Sequence, residues 1–149
     1  MRYLAEIGQN SILWTSVLAW FVAQVLKVIL VFISHRKLDF SRFVGSGGMP
    51  SSHSSFSVSL ALSTGFVCGF SSVEFAICVC FSLIVMYDAA GIRRSAGEQA
   101  KILNKIVEEW ERGDFSHTET KLKELLGHTP VEVFAGAILG ALISILRYV

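Results

Sequence analysis

Charged side chains are scarce in this sequence of 149 residues, where Asp, Glu, Lys and Arg together make up 17%. Soluble domains typically contain about 25% of these residues, so the composition fits an ordinary water-soluble domain poorly. The 13 Lys and Arg nearly balance the 12 Asp and Glu, which excludes the broad positive field of a nucleic-acid-binding protein. The cysteines Cys68, Cys78 and Cys80 lie in apolar stretches, and their spacing indicates neither a metal site nor a disulfide framework.

Apolar residues are what the chain has in excess. They make up 52% of the sequence, and the mean hydropathy is +0.56. About 20 apolar residues suffice to cross a bilayer as a helix, and four runs approach or reach that length. The sequence therefore predicts an all-α, multi-pass transmembrane helical bundle. It forms a single domain over residues 1–149, with spans at 11–33, 53–70, 73–90 and 130–147.

Two of the expected spans begin with capping signals. Ser71 and Glu74 fit a capping box ahead of the third span. Thr129 is a candidate N-cap of the fourth span, with Pro130 at its first helical position and Glu132 at its third. These signals indicate that helices start at both places.

Residues 95–112 predict an amphipathic helix instead of a span. Apolar residues recur there at helical spacing, and charged residues occupy the opposite side. The apolar positions are Ile102, Leu103, Ile106, Val107 and Trp110. Such a helix lies on a membrane surface or on a partner, with an ordinary surface helix of a soluble bundle as the alternative.

The basic residues predict an orientation in the membrane. Four spans place the loops 34–52 and 89–129 on the same side, and these loops hold ten of the 13 Lys and Arg. Because positively charged loops tend to stay in the cytoplasm, both loops are expected there, with both chain termini outside. The predicted location is the cell membrane, with the polar segments described next on its cytoplasmic side.

Polar residues collect at one end of the expected spans, in segments 45–53, 88–94 and 126–132. The second and fourth spans point their N-termini at this end, where free backbone N–H groups and the helix dipoles favour an anion. Arg93 and Arg94 could supply planar donors to phosphate oxygens. Lys27 lies within the first span, and a cation inside a membrane marks a functional site by default.

Each of these residues also has a simpler structural interpretation. In that interpretation Ser51 and Ser52 do no more than cap a helix, and Glu132 does no more than complete the capping box. His53 and His128 are then ordinary polar residues. Arg93 and Arg94 then serve as topology anchors, and Asp88 does no more than pair with one of them.

Gly136 and Gly140 indicate a face for helix packing, which could also hold a second copy of the chain.

Five segments together carry a resemblance to a known family. They are Ala23–Lys27, Arg36–Asp39, the stretch GGMPSSH that ends at His53, DAAGIRRSAGEQA from Asp88, and LKELLGHTPVEVFAG from Leu122. The chain resembles the divergent branch of the type 2 phosphatidic acid phosphatase and vanadium haloperoxidase superfamily, the acid phosphatase/vanadium-dependent haloperoxidase-related membrane proteins. The segments span nearly the full chain, and GGMPSSH with LLGHTP is specific for this branch.

The resemblance implies a role for each matching residue. His53 matches the histidine that protonates the leaving group, and His128 matches the histidine that attacks phosphorus. Glu132 stands where the superfamily has the aspartate that supports this nucleophile. Lys27 and Arg36 are the nearest candidates for the phosphate-binding Lys and Arg, although eight residues separate them instead of six. The superfamily's later arginine has no direct match.

Together these observations favour a membrane phosphatase that hydrolyses a phosphate monoester or diphosphate of a lipid-like substrate through a phosphohistidine. The expected catalytic residues are His53, His128 and Glu132. Phosphate binding is expected from Lys27, Arg36, Ser51, Ser52, Arg93 and Arg94, with Asp88 in support. No metal or other cofactor and no nucleic acid are expected, and a homodimer is one expected assembly. The alternative is a non-enzymatic membrane protein that keeps the anion site for binding or transport.

Overall fold

The computed structural model describes residues 2–35, 48–111 and 128–149, and gives the backbone alone for residues 34, 35, 92–96, 98, 109 and 111. The described residues form helices and no strands, so the all-α class is confirmed for them. The helices are α1 (Arg2–Gly8), α2 (Ser11–His35), α3 (Ser52–Cys68), α4 (Val73–Ala90), α5 (Ile92–Glu111) and α6 (Pro130–Tyr148).

Three helices in the described ranges are long and apolar enough to cross a membrane, at Ser11–Ile33, Val73–Ala90 and Pro130–Tyr148. The expected span at 53–70 is not among them, so four spans are not confirmed. Its helix, α3, ends at Cys68 after 17 residues, which is about 25 Å of helix against a hydrocarbon core of about 30 Å. Gly69, with a φ of +96°, follows its last residue.

The starts of α4 and α6 agree with the predicted spans at 73–90 and 130–147, but the capping residue of α4 differs from the expected one. Thr129 caps α6, and the reciprocal bonds of a capping box join it to Glu132. At α4 the cap is Ser72, whose hydroxyl accepts from the Phe75 N–H at 3.2 Å. The expected cap at Ser71 is therefore wrong, because the residue that directly precedes the helix start at Val73 is Ser72.

Helix α3 lies at the centre of the bundle and packs on α2, α4 and α6. Most of its buried residues are Ser or Thr, and their hydroxyls bond to each neighbour. Ser55 donates to the Ala19 carbonyl of α2 at 3.0 Å, Ser82 of α4 donates to Ser57 at 3.1 Å, and Ser59 lies 2.9 Å from Ser144 of α6. These hydroxyls explain the central position of α3, since small residues and interhelical hydrogen bonds join helices in membranes.

Helices α3 and α6 run parallel and approach closely through two glycines. A Cβ at Gly136 would overlap the Ser51 carbonyl oxygen, and one at Gly140 would overlap that of Ser55. The expected packing role of this pair is therefore confirmed. The face is covered by α3 of the same chain, so the expected contact with a second copy through it is wrong, and a homodimer stays a prediction.

Helix α5 follows α4 after Gly91 and is strongly amphipathic, as expected. It begins at Ile92, three residues before the predicted start, and residue 112 lies outside the described residues. Its apolar side chains Ile102, Leu103, Ile106, Val107 and Trp110 are exposed, whereas Gly97 and Asn104 are buried. The helix therefore presents its apolar face outward.

Candidate functional site

Three helix ends meet where the sequence concentrates its polar motifs. The Ser51 N–H, at the start of α3, donates to the Glu132 carbonyl of α6 at 2.9 Å. The His128 N–H, just before α6, donates to the Ala89 carbonyl at the end of α4 at 3.1 Å. These two bonds bring the segments around residues 51, 89 and 130 together at one end of the bundle.

The two motif histidines are neighbours at this end. His53 lies in the first turn of α3 and His128 precedes the cap of α6, so 75 positions separate them in sequence. Their ring centroids are 6.0 Å apart with the ring planes inclined by 65°. His53 is half-buried, and the His128 side chain is only 1% exposed. Two imidazoles at this spacing could act on one small group from different directions.

Glu132 holds the His128 ring from one side. Its Oε2 lies 3.1 Å from His128 Nδ1, and the same oxygen accepts from the Thr129 N–H at 3.1 Å. Because an ionised carboxylate only accepts hydrogen bonds, it places the imidazole proton on Nδ1. When the ring is neutral, Nε2 then carries the lone pair. Glu132 therefore serves both as a capping residue and as the partner of His128.

Lys27 is buried beside the loop that leads into α3. Its side chain is 1% exposed, and its stem packs against Gly48, where an added Cβ would lie 3.4 Å from Lys27 Cγ. Gly48 has a φ of +86°, a conformation that other residues rarely adopt. A lysine buried in a membrane helix is expensive unless its charge is used, and Gly48, which its stem contacts, lies three residues before Ser51 in this loop.

The serines of the motif have structural roles in the described contacts. The Ser51 hydroxyl caps α3 by accepting from the Ser54 N–H at 3.4 Å, and Ser52 is the buried first residue of that helix. Ser54, which the sequence did not single out beside Ser51 and Ser52, is fully buried. Its hydroxyl has no hydrogen-bond partner in the described part of the chain. No sequence signal could separate it from the other hydroxyl residues of α3.

The remaining expected residues are placed only in part. Asp88 is half-buried in the last turn of α4, next to the Ala89 carbonyl that accepts from His128. Arg93 and Arg94 lie in the first turn of α5, but their side chains lie outside the described part of the structure, as does all of Arg36. Within the described ranges, no three His, Cys, Asp or Glu residues gather to hold a metal ion.

The fold and the site together define an all-helical membrane protein with a histidine–carboxylate pair at one end of its bundle. Comparison with known proteins agrees with this class. The family model described as "Divergent PAP2 family" matches residues 8–143, and the chain belongs to that family; PAP2 denotes type 2 phosphatidic acid phosphatase.

A curated relative supports the membrane class. The chain is 43% identical over 150 residues to the "Uncharacterized membrane protein YuiD" of Bacillus subtilis (strain 168), an alignment that covers 94% of this chain and 95% of the relative. No solved structure matches the chain.

Proposed function

We propose that this protein is a membrane phosphatase that removes phosphate from a phosphate monoester or diphosphate of a lipid-like substrate. The observation that carries the proposal is the convergence of His53 and His128 at 6.0 Å, with Glu132 on His128 Nδ1 at 3.1 Å. Membership of the divergent PAP2 family supports the same chemistry. A site at the end of membrane helices suits a substrate whose phosphate lies at the lipid surface and whose tail lies in the bilayer.

The proposed reaction has two steps. His128 Nε2 attacks phosphorus, the bond from phosphorus to the leaving oxygen breaks, and His53 gives its proton to that oxygen. Water then attacks the phosphohistidine, His53 takes a proton from this water, and inorganic phosphate leaves with the His128 ring restored. Glu132 stabilises the positive charge that develops on His128, and Lys27 stabilises the negative charge on the phosphoryl oxygens.

The proposed topology has four crossings. Helix α3 crosses the membrane in addition to the three apolar spans and is enclosed by them. It can do so because these neighbouring helices supply the apolar surface that its serines lack. Its contacts with α4 support this arrangement, since Ser57 pairs with Ser82 while Thr64 pairs with Cys78, so the two helices are antiparallel. The basic loops then face the cytoplasm with the site, and α5 rests its apolar face on the membrane surface.

The proposal predicts phosphate release by the purified full-length protein in detergent or vesicles. The substrates to compare are phosphatidate, phosphatidylglycerophosphate and a polyprenyl diphosphate, with vanadate as an inhibitor that mimics the transferring phosphoryl group. We expect vanadate-sensitive turnover of at least one of them. Binding of a lipid phosphate without turnover of any would instead support the non-enzymatic alternative.

The two roles of Glu132 can be separated by a pair of variants. Glu132→Gln keeps an oxygen that can accept from Thr129, so stability should change little, but the loss of charge should lower kcat by about 10²–10⁴-fold. Thr129→Ala removes the cap and should cost about 1 kcal/mol of stability while leaving most of kcat. Thermal unfolding and steady-state kinetics measure both. A kcat in Glu132→Gln that is as close to the wild-type value as that of Thr129→Ala would mean that Glu132 is only a capping residue.

A further inference from the structure

An apolar groove lies beside the proposed phosphatase site, between α2 and α6. Its volume is about 320 Å³, and every side chain that lines it is apolar. Leu26 and Leu30 of α2 form one wall, Ala135 and Leu142 of α6 form the other, and Met49 and Pro50, just before α3, also line the groove. Neither the histidine chemistry nor the helix packing described above uses this groove.

Several residues that line the groove are close in sequence to residues of the site. Leu26 is adjacent to Lys27, and Pro50 is adjacent to Ser51, whose N–H bonds to Glu132. Ala135 lies three residues after Glu132, on the same helix. A molecule whose phosphate meets Lys27 and His128 would therefore have its tail close to this part of the groove.

The other side of the groove opens away from the protein. Leu30 and Leu142 are 44% and 51% exposed, and both belong to helices that are candidate membrane spans. From Ala135 to Leu142 the wall rises about 10 Å along the helix. The volume is at the low end of the 300–1,000 Å³ typical of ligand pockets, which suits one hydrocarbon chain better than two.

We infer that this groove binds a single hydrocarbon chain, acyl or isoprenoid, of the molecule whose phosphate enters the histidine site. The inference rests on the proposed function, since it names the part of the substrate that the site does not hold. The substrate enters sideways from the bilayer between α2 and α6, and the groove fixes the distance of its phosphate from the membrane centre.

The groove can be filled by substitution. Ala135→Phe blocks the end next to the site, and Leu142→Trp blocks the far end. Leu146→Trp is the matched control, because Leu146 is 83% exposed on the same helix and does not line the groove. If Ala135→Phe fails to fold, Leu142→Trp tests the same groove from a half-exposed position.

Lipid binding is measured by photo-crosslinking in the His128→Ala background, so the result does not depend on turnover. The probes are a lysophosphatidate and a farnesyl phosphate, each with a diazirine in its chain. We expect labels on α2 and α6 around the groove, reduced about tenfold by either filling variant and unchanged by Leu146→Trp. That factor corresponds to about two buried methylene groups. Reduced labelling of the filling variants with either probe supports the inference, and the probe that shows it identifies the hydrocarbon chain as acyl or isoprenoid.

Kinetics of the protein with His128 intact separates this inference from the proposed function. Filling the groove should raise KM for the long-chain phosphate about tenfold and leave KM for 4-nitrophenyl phosphate, which has no tail, unchanged. Groove-specific labelling in a protein that turns over no phosphate would uphold the tail site and refute the phosphatase. Labels spread evenly over the outer faces of the helices, α4 included, or labelling that neither filling variant reduces, would overturn the inference.

Discussion

Replacing His128 by alanine is expected to abolish phosphate release, by about four orders of magnitude or more, while the protein stays folded. Its Nε2 is the proposed nucleophile, and loss of a nucleophile leaves only the binding contribution to catalysis. Folding should persist because the substitution removes only the imidazole. The variant keeps the backbone N–H of residue 128, which donates to the Ala89 carbonyl, and the Thr129 side chain, which caps α6. Turnover is measured on the lipid phosphate found active, beside thermal unfolding of the same preparation.

His53→Ala provides the contrast, because His53 acts on the leaving group and not on phosphorus. On a lipid phosphate the loss should be about 10²–10⁴-fold, the range for a general acid. On 4-nitrophenyl phosphate it should be much smaller, since 4-nitrophenolate leaves without a proton. Equal losses on both substrates, or wild-type turnover in both histidine variants, would refute the assigned roles.

Gly136→Ala is expected to have the largest effect on stability. A methyl group there would overlap the Ser51 carbonyl oxygen, and the next nearest atoms are also Ser51 backbone. A backbone cannot rotate aside as a flexible side chain can, so α3 and α6 must separate. We expect a loss of about 3 kcal/mol, the upper part of the range for overpacking, and a fall in unfolding temperature of about 10 °C.

Gly8→Ala is the matched control for this substitution. Gly8 also lies in a helix, but nothing lies within 4 Å of an added Cβ, so the change should be neutral or slightly stabilising because alanine favours helices. The separation of α3 and α6 would also weaken the bond from Ser51 to Glu132, so Gly136→Ala should reduce activity in the fraction that remains folded. Equal unfolding temperatures in the two variants would contradict the described packing.

Much of the architecture could be predicted from the sequence because its signals are local. Apolar runs at 11–33 and 73–90 define two helices, and the amphipathic pattern defines α5. The cap of α6 depends on Thr129 and Glu132, which lie within one helical turn. The convergence of His53 and His128 could also be expected, since alternating helix directions place both at one end of the bundle.

Helix α3 shows what the sequence could not decide. Its apolar residues resemble those of a span, but its serines form hydrogen bonds to residues such as Ala19 and Ser144, which are distant in sequence. Only the tertiary structure shows that these hydroxyls face other helices. For the same reason the Gly136 and Gly140 face could not be assigned to packing within one chain, and the contact of Lys27 with Gly48 could not be foreseen.

The central claim is that His128 becomes phosphorylated, and trapping of the phosphoenzyme tests it most directly. The protein is mixed with a ³²P-labelled lipid phosphate, quenched in alkali within milliseconds to seconds, and digested for mass spectrometry. We predict one phosphorylated residue, His128, with label that is stable in alkali, lost in acid and absent from His128→Ala. Vanadate-sensitive turnover without any acid-labile label, or label that persists in His128→Ala, would contradict the account.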